Sequence, residues 1–219
     1  MNERPILFSG PMVRAILENR KTQTRRVVKL RDPSQTYSVH GDDGWPSSAD
    51  ECGMWHKDRC PYGAPGDRLW VREAWCPQIV NGSPHHLFKA SWPQVDEHGI
   101  TTPVPTFKWK PSIHMPRWAS RITLEITEVR VERLHELSDG DAINEGILSV
   151  RSPEWDRQHF PAWRSEFDAA CAANRKPPVG PMPTRAFKAL WESINGKGSW
   201  GKNPWVWVIG FERVDGEKS

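Results

Sequence analysis

No run of about 18 consecutive apolar residues occurs in the 219-residue chain, so the sequence offers no membrane-spanning helix. The opening residues, MNERPILFSG, lack the apolar core and small-residue cleavage site of a secretory signal. Cysteine is scarce, with four in all. These absences make the cytoplasm the expected location, free thiols the expected cysteine state and a membrane partner unexpected. Internal repeats and low-complexity tracts are also missing, and 219 residues suit one core carrying large insertions. A monomer is the expected assembly. No His/Cys spacing closes a common metal site. The nearest approach is CGMWHKDRC, where Cys52, His56 and Cys60 stand four apart with His40 upstream. That is not a familiar zinc spacing, so no metal and no cofactor is expected, with zinc in this loop as the open alternative. Cys171 stands alone and reads as inert.

Positive charge, by contrast, is concentrated. Residues 1–30 hold seven Lys/Arg against two Asp/Glu, in a chain whose net charge is only +3. Five of those cations and two threonines fall in ENRKTQTRRVVKL, residues 18–30. Local charge of this kind suits a phosphate, a carboxylate or an anionic intermediate, or else a solvated edge. Tryptophan is abundant, at 13, and serves either as core filling or as a stacking platform for bases.

ILFSGPMVRAILENRK reads as a strand over Ile6 to Phe8 and then a helix. Ser9 or Gly10 caps it, Pro11 sits in the first turn, and Met12, Val13, Ile16 and Leu17 form one apolar face. Asn19 suits the left-handed residue that ends a helix. TQTRRVV continues as a strand, and alternation puts Thr22, Thr24 and Arg26 on one face and Gln23 and Arg25 on the other. PGDRLWVREAW is a turn held by Asp67, followed by a strand with Leu69 and Val71 on one face. Glu73 is expected to pair with an arginine. RITLEITEVRVERL is the clearest strand, with a phase break near Glu128 that predicts a β-bulge. LSDGDAINEGI predicts a short helix with Ser138 as N-cap, Asp141 as reciprocal acid and Gly146 as stop. Glu145 falls in its last turn, where the helix dipole disfavours a carboxylate. TRAFKALWESING is a helix with a core stripe of Phe187, Leu190, Trp191 and Ile194, and WVWVIGFERV is a strand apolar on both faces, as a central strand would be.

In this order, NRKTQTRR, PGDRLWVRE, the long strand, LSDGDAINEGI and NPWVWVIGFE together resemble the ASCH domain, a member of the PUA-like β-barrel superfamily. The resemblance covers somewhat under half of the chain, as separated blocks. It implies an α+β fold: one PUA-like barrel domain over 1–219 with flanking helices, and long insertions at 31–65, 76–116 and 149–183. The family's usual pattern begins with Gly where this chain has Asn19 or Arg20, and often has Glu where this chain has Thr24. The small N4-acetylcytidine amidohydrolases of the family carry Lys-x-x-Thr-x-Arg at this junction and a Glu in the helix after the long strand. The matching residues here are Lys21, Thr24, Arg26 and Glu145.

What the resemblance implies is hydrolysis of the amide between an acyl group and the exocyclic N4 of a cytosine nucleoside. In that chemistry Thr24 is the candidate nucleophile and Lys21 the candidate base, its proton weakened by the neighbouring Arg20, Arg25 and Arg26. Glu145 orients Lys21, shuttles protons or activates water in place of Thr24. Arg26 binds the oxyanion or the pyrimidine carbonyl. His114 and Trp118, in SIHMPRWAS, are candidate stacking residues for the base. The insertions leave room for acyl groups larger than acetyl. The alternatives are an RNA-binding module or ribonuclease, whose phosphates would meet the same cations, and a reader of a modified base without catalysis.

Overall fold

The computed structural model describes residues 1–29, 37–38, 47–49, 55–57, 59–80, 83–91, 108–147, 161–176 and 183–214. In chain order, β1 (Glu3–Leu7) feeds α1 (Gly10–Leu17), which turns into β2 (Gln23–Val27). Three short strands follow: β3 (Tyr37–Ser38), β4 (Ser47–Ala49) and β5 (Trp55–Lys57). Next come β6 (Arg68–Arg72) and the hairpin β7 (Trp75–Val80) and β8 (Ser83–Phe88). The long strand β9 (Thr123–Arg133) leads to α2 (Asp139–Asn144), and then α3 (Pro161–Ala172) and α4 (Pro183–Asn195) precede the closing strand β10 (Trp205–Val214).

One five-stranded mixed sheet organises the molecule, in the order β1-β6-β9-β10-β2. Only the β1–β6 pair is parallel. β3, β4 and β5 form a separate small sheet, and β7 pairs with β8 and, through Trp75, makes an isolated bridge to Lys110. The α+β class expected from the sequence is what the chain adopts. A closed barrel is not found: among the described residues no backbone ladder joins the edge strands β1 and β2. A side chain links them instead, Arg26 Nη2 donating to the Leu7 carbonyl at 2.6 Å.

Both faces of the β2–β10 half of the sheet are covered, which is why β10 reads as apolar throughout. Trp207, Ile209 and Phe211 point to a core that includes Ile6, Phe8, Ile16, Leu69, Leu124 and Ile126. Val206 and Val208 point the other way, to Leu137, Ala142, Phe187 and Trp191 from α2 and α4. Leu69, Leu124 and Ile209 are fully buried. Each such side chain stabilises the fold by about 1.5–3 kcal/mol relative to exposure. The expected stripe of α4 is confined to its first three turns, for Ile194 is 53% exposed. The bulge lies where the phase break placed it: Gly210 pairs with Glu128 and Phe211 with Ile126, leaving Thr127 as the extra residue on β9.

Candidate active site

Lys21 owes its position to two helix ends. At the exit of α1, Asn19 takes a φ of 55°, and the amides of Arg20 and Lys21 both return to the Ala15 carbonyl at 2.8 and 3.0 Å. On the other side, α2 starts at Ser138, whose hydroxyl accepts from the Asp141 amide at 3.0 Å in a capping box, and stops at Gly146 with a φ of 90°. The two ends meet. The Thr22 amide donates to Asn144 O at 2.9 Å, and Lys21 and Glu145 form an isolated antiparallel bridge. Gly146 is required for this approach, because a Cβ there would stand 3.0 Å from Ala15 Cβ and 3.1 Å from Lys21 Cβ.

The Lys21 side chain is fully buried, as is nearly all of Glu145. Lys21 Nζ donates to Glu145 Oε2 at 2.7 Å, to Glu145 O at 2.9 Å and to Gln23 O at 2.8 Å. Three acceptors match the three protons of an ammonium group. Burial pushes the Lys21 pKa below its ordinary value, opposed by the Glu145 carboxylate; Arg26 and Arg25 lower it further but are the lesser causes. The sequence expectation assigned this shift to neighbouring arginines, and the structure corrects it. Arg20 Nε donates to Glu18 at 2.7 Å and its Nη1 to the Gly146 carbonyl at 3.1 Å. Arg25 is surrounded by carboxylates.

Those carboxylates explain most of the charge run. Arg25 Nε donates to Glu132 at 3.0 Å, and its guanidinium lies 3.4 Å from Asp141 and 3.3 Å from Glu145. Arg130 bonds Glu132 at 3.2 Å and Asp141 at 3.0 Å. Gln23 Nε2 reaches the Asp141 carbonyl and carboxylate, both at 3.1 Å. Lys21, Arg25 and Arg130 are thus balanced by Glu132, Asp141 and Glu145. The position of Glu145 at a helix C-terminus, unfavourable by its dipole, has its reason here: two buried cations hold it. Burial raises the Asp141 pKa, but hydrogen bonds from Ser138 and Gln23 and the Arg25 charge outweigh it and bring the carboxyl to about 2.

β2 alternates as its sequence dictates. Gln23 and Arg25 face α2, whereas Thr24 lies opposite Ile209, and Arg26 opposite Trp207, on the face of the larger core. Phe8 connects this face to the ion pair: Lys21 Nζ lies 5.6 Å from its ring centroid and the Arg26 guanidinium carbon 5.3 Å. Thr24 is buried. Arg26 Nε is buried with no hydrogen-bond partner among the described residues, leaving a directed donor for another acceptor. A cavity of about 320 Å³ is lined by Lys21 and Thr22 with Ile16, Asn19 and Phe211 among others, but Thr24, Arg26 and Glu145 are not part of its lining. Its volume is at the small end of the range for small-molecule sites.

The candidate stacking residues lie elsewhere. His114 is exposed in the turn Ser112–His114, and Trp118 is 69% exposed, packed edge-on against Trp75 at 5.7 Å. Neither lines the cavity at Lys21. Asp67 holds its turn as expected, accepting from the Asn2 amide at 2.8 Å and the Ala64 amide at 3.3 Å. Glu73 pairs with Arg121 at 2.8 Å. Of the possible zinc set, His40 and Cys52 lie outside the described residues. Cys60 is a buried free thiol whose pKa is raised by burial, and no metal-binding cluster occurs among the described residues. Phe8, Gln23 and Glu132 are the site residues that sequence reasoning did not single out. Gln23 had a signal, since alternation placed it beside Arg25; Phe8 and Glu132 had none. No family model matches the chain, nor does any curated protein or solved structure.

Proposed function

We propose that the protein is an amidohydrolase that cleaves N4-acylated cytosine nucleosides without a metal, on a PUA-like framework. The observation that carries this reading is the 2.7 Å contact between Lys21 Nζ and Glu145 Oε2, both buried. These residues match a motif resembling that of the N4-acetylcytidine amidohydrolases, and they lie 124 positions apart in the chain. Thr24 and Arg26, the other residues matching that motif, share the face of β2 opposite to Gln23 and Arg25.

In the proposed reaction Lys21 passes one proton to Glu145 as substrate enters, since burial already disfavours the ammonium form. The neutral amine takes the Thr24 hydroxyl proton while Thr24 Oγ1 attacks the acyl carbonyl. The resulting oxyanion is held by Arg26, whose Nε has no other partner among the described residues. Collapse breaks the C–N bond, and the proton from Lys21 goes to the departing cytosine amine. Water, deprotonated through the same pair, then cleaves the Thr24 ester and releases the carboxylic acid. A phosphate grip by the same cations draws no support from this arrangement, because the Lys21 and Arg25 side chains are wholly buried and paired with carboxylates. The test is incubation of the purified protein with a series of N4-acylcytidines of increasing acyl size. Release of cytidine is expected, and no release from any member of the series would contradict the reading.

A further inference from the structure

Glu145 divides its two carboxylate oxygens between two cations. Oε2 accepts from Lys21 Nζ at 2.7 Å, and Oε1 from Arg25 Nη1 at 3.3 Å. The terminal torsion of a glutamate is soft and nearly two-fold, so with Lys21 alone the two oxygens could exchange places and neither would be fixed as the acceptor. Arg25 removes that freedom, because it is itself fixed. Its side chain is wholly buried; Nε donates to Glu132 at 3.0 Å, Nη2 bonds the same carboxylate, and Asp141 lies 3.4 Å away. The Phe187 ring of α4 stands 6.0 Å from the guanidinium carbon. A planar fork holds Glu132 and Glu145 at once, whereas an ammonium is a single point of charge.

On β2, Arg25 faces α2 together with Gln23, opposite the face that carries Thr24 and Arg26. Among the described residues its link to the proposed chemistry therefore runs through Glu145. Arg130 supplies the comparison. It bonds Glu132 at 3.2 Å and Asp141 at 3.0 Å, the carboxylates that hold Arg25, but among the described residues it makes no bond to Glu145. Loosening the charge network in general and loosening Glu145 in particular are thus told apart by substituting one arginine or the other.

We propose that Arg25 is a positioning residue of the Lys21–Glu145 pair: it occupies Oε1 and so presents Oε2 to Lys21 as the oxygen that takes the proton. Its part in turnover rests on the hydrolase reading; its placement of Glu145 does not. Initial rates on N4-acetylcytidine test the first, and NMR titration of the Lys21 side-chain Cε, identified by its loss in Lys21→Arg, tests the second. Arg25→Lys keeps the charge and loses the fork. It should lower kcat about tenfold or more with KM within about twofold, since it displaces a proton acceptor and no substrate contact. Its Lys21 should titrate at least about half a pH unit lower than in wild type, because the carboxylate that favours the ammonium form is less closely held. Arg130→Gln should leave kcat and KM within about twofold and the Lys21 titration in place. Should Arg25→Lys fail to fold by circular dichroism, Glu132→Gln takes its place: it loosens Arg25 without touching Glu145, and should lower kcat about threefold or more at unchanged KM and move Lys21 in the same direction. If the wild type releases no cytidine, the hydrolase reading fails and the titration alone decides. The proposal is overturned by an unmoved Lys21 titration in the variant that loosens Glu145, by undiminished kcat or a loss carried by KM where the wild type hydrolyses, or by equal effects of the Arg25 and Arg130 substitutions.

Discussion

Replacing Glu145 with glutamine keeps the shape of the side chain and removes one charge from a site where Lys21 is fully buried. Arg25 retains Glu132 and Asp141, so the loss falls mainly on Lys21, which keeps the carbonyls of Gln23 and Glu145 as acceptors. Breaking one side of a buried pair costs about 3–5 kcal/mol. A separate limit gives a similar figure. Lys21 can relieve the unpaired charge by releasing its proton, which at pH 7, against an ordinary pKa of 10.5, costs at most about 5 kcal/mol. Urea unfolding at pH 7 should therefore show Glu145→Gln destabilised by about 3 kcal/mol or more, a large share of an ordinary domain's stability. Adding Lys21→Met removes the stranded charge and should restore about 2 kcal/mol, a coupling well above the error of such cycles. The pH dependence has a defined sign. Without the Glu145 carboxylate the folded Lys21 pKa falls further below its unfolded value, so the unfolded chain binds more protons and stability should rise as pH increases toward 10.5. Additive effects of the two substitutions, within about 0.5 kcal/mol, would refute the claim that this pair acts as a unit.

Gly146→Ala forces a side chain into a φ of 90° and against Ala15 and Lys21, and should cost about 1–3 kcal/mol in denaturant unfolding while lowering hydrolysis by displacing Lys21. Asp141 has a folded pKa of about 2 against an ordinary 3.8, so its contribution is complete above pH 4 and lost as pH falls toward 2. Discounted for its partial exposure, that contribution is about 1 kcal/mol. Acid titration of stability should show a loss of that size in wild type and a smaller one in Asp141→Asn.

The local elements of this fold were legible because their signals are local. Ser138 and Asp141 mark the start of α2 by a capping box, Asn19 and Gly146 mark helix ends by their tolerance of positive φ, and the broken alternation near Glu128 marks the bulge. Period-two alternation on β2 separated Thr24 and Arg26 from Gln23 and Arg25 correctly. The charge network was not legible in the same way. Its contacts join Lys21 and β2 to residues 107 to 124 positions away, and nothing in ENRKTQTRR says that Arg25 ends among three carboxylates while Arg20 pairs with Glu18. Burial, the larger cause of the Lys21 shift, is likewise a property of the assembled fold, supplied by Phe8 and the meeting of two helix ends. Trp118 shows how residue type alone leaves position open. An aromatic residue in a basic loop fits a stacking role by type, but its placement against Trp75 puts it outside the cavity at Lys21.

The most direct measurement of the central claim is cytidine release from N4-acylcytidines by wild type and by Lys21→Arg, side by side at neutral pH. Arginine keeps the positive charge and the reach to Glu145 but does not give up its proton, so it cannot serve as the base. The account predicts release by wild type and a loss of about 100-fold or more in the variant, with the fold retained by circular dichroism. Equal turnover by the two proteins would contradict it.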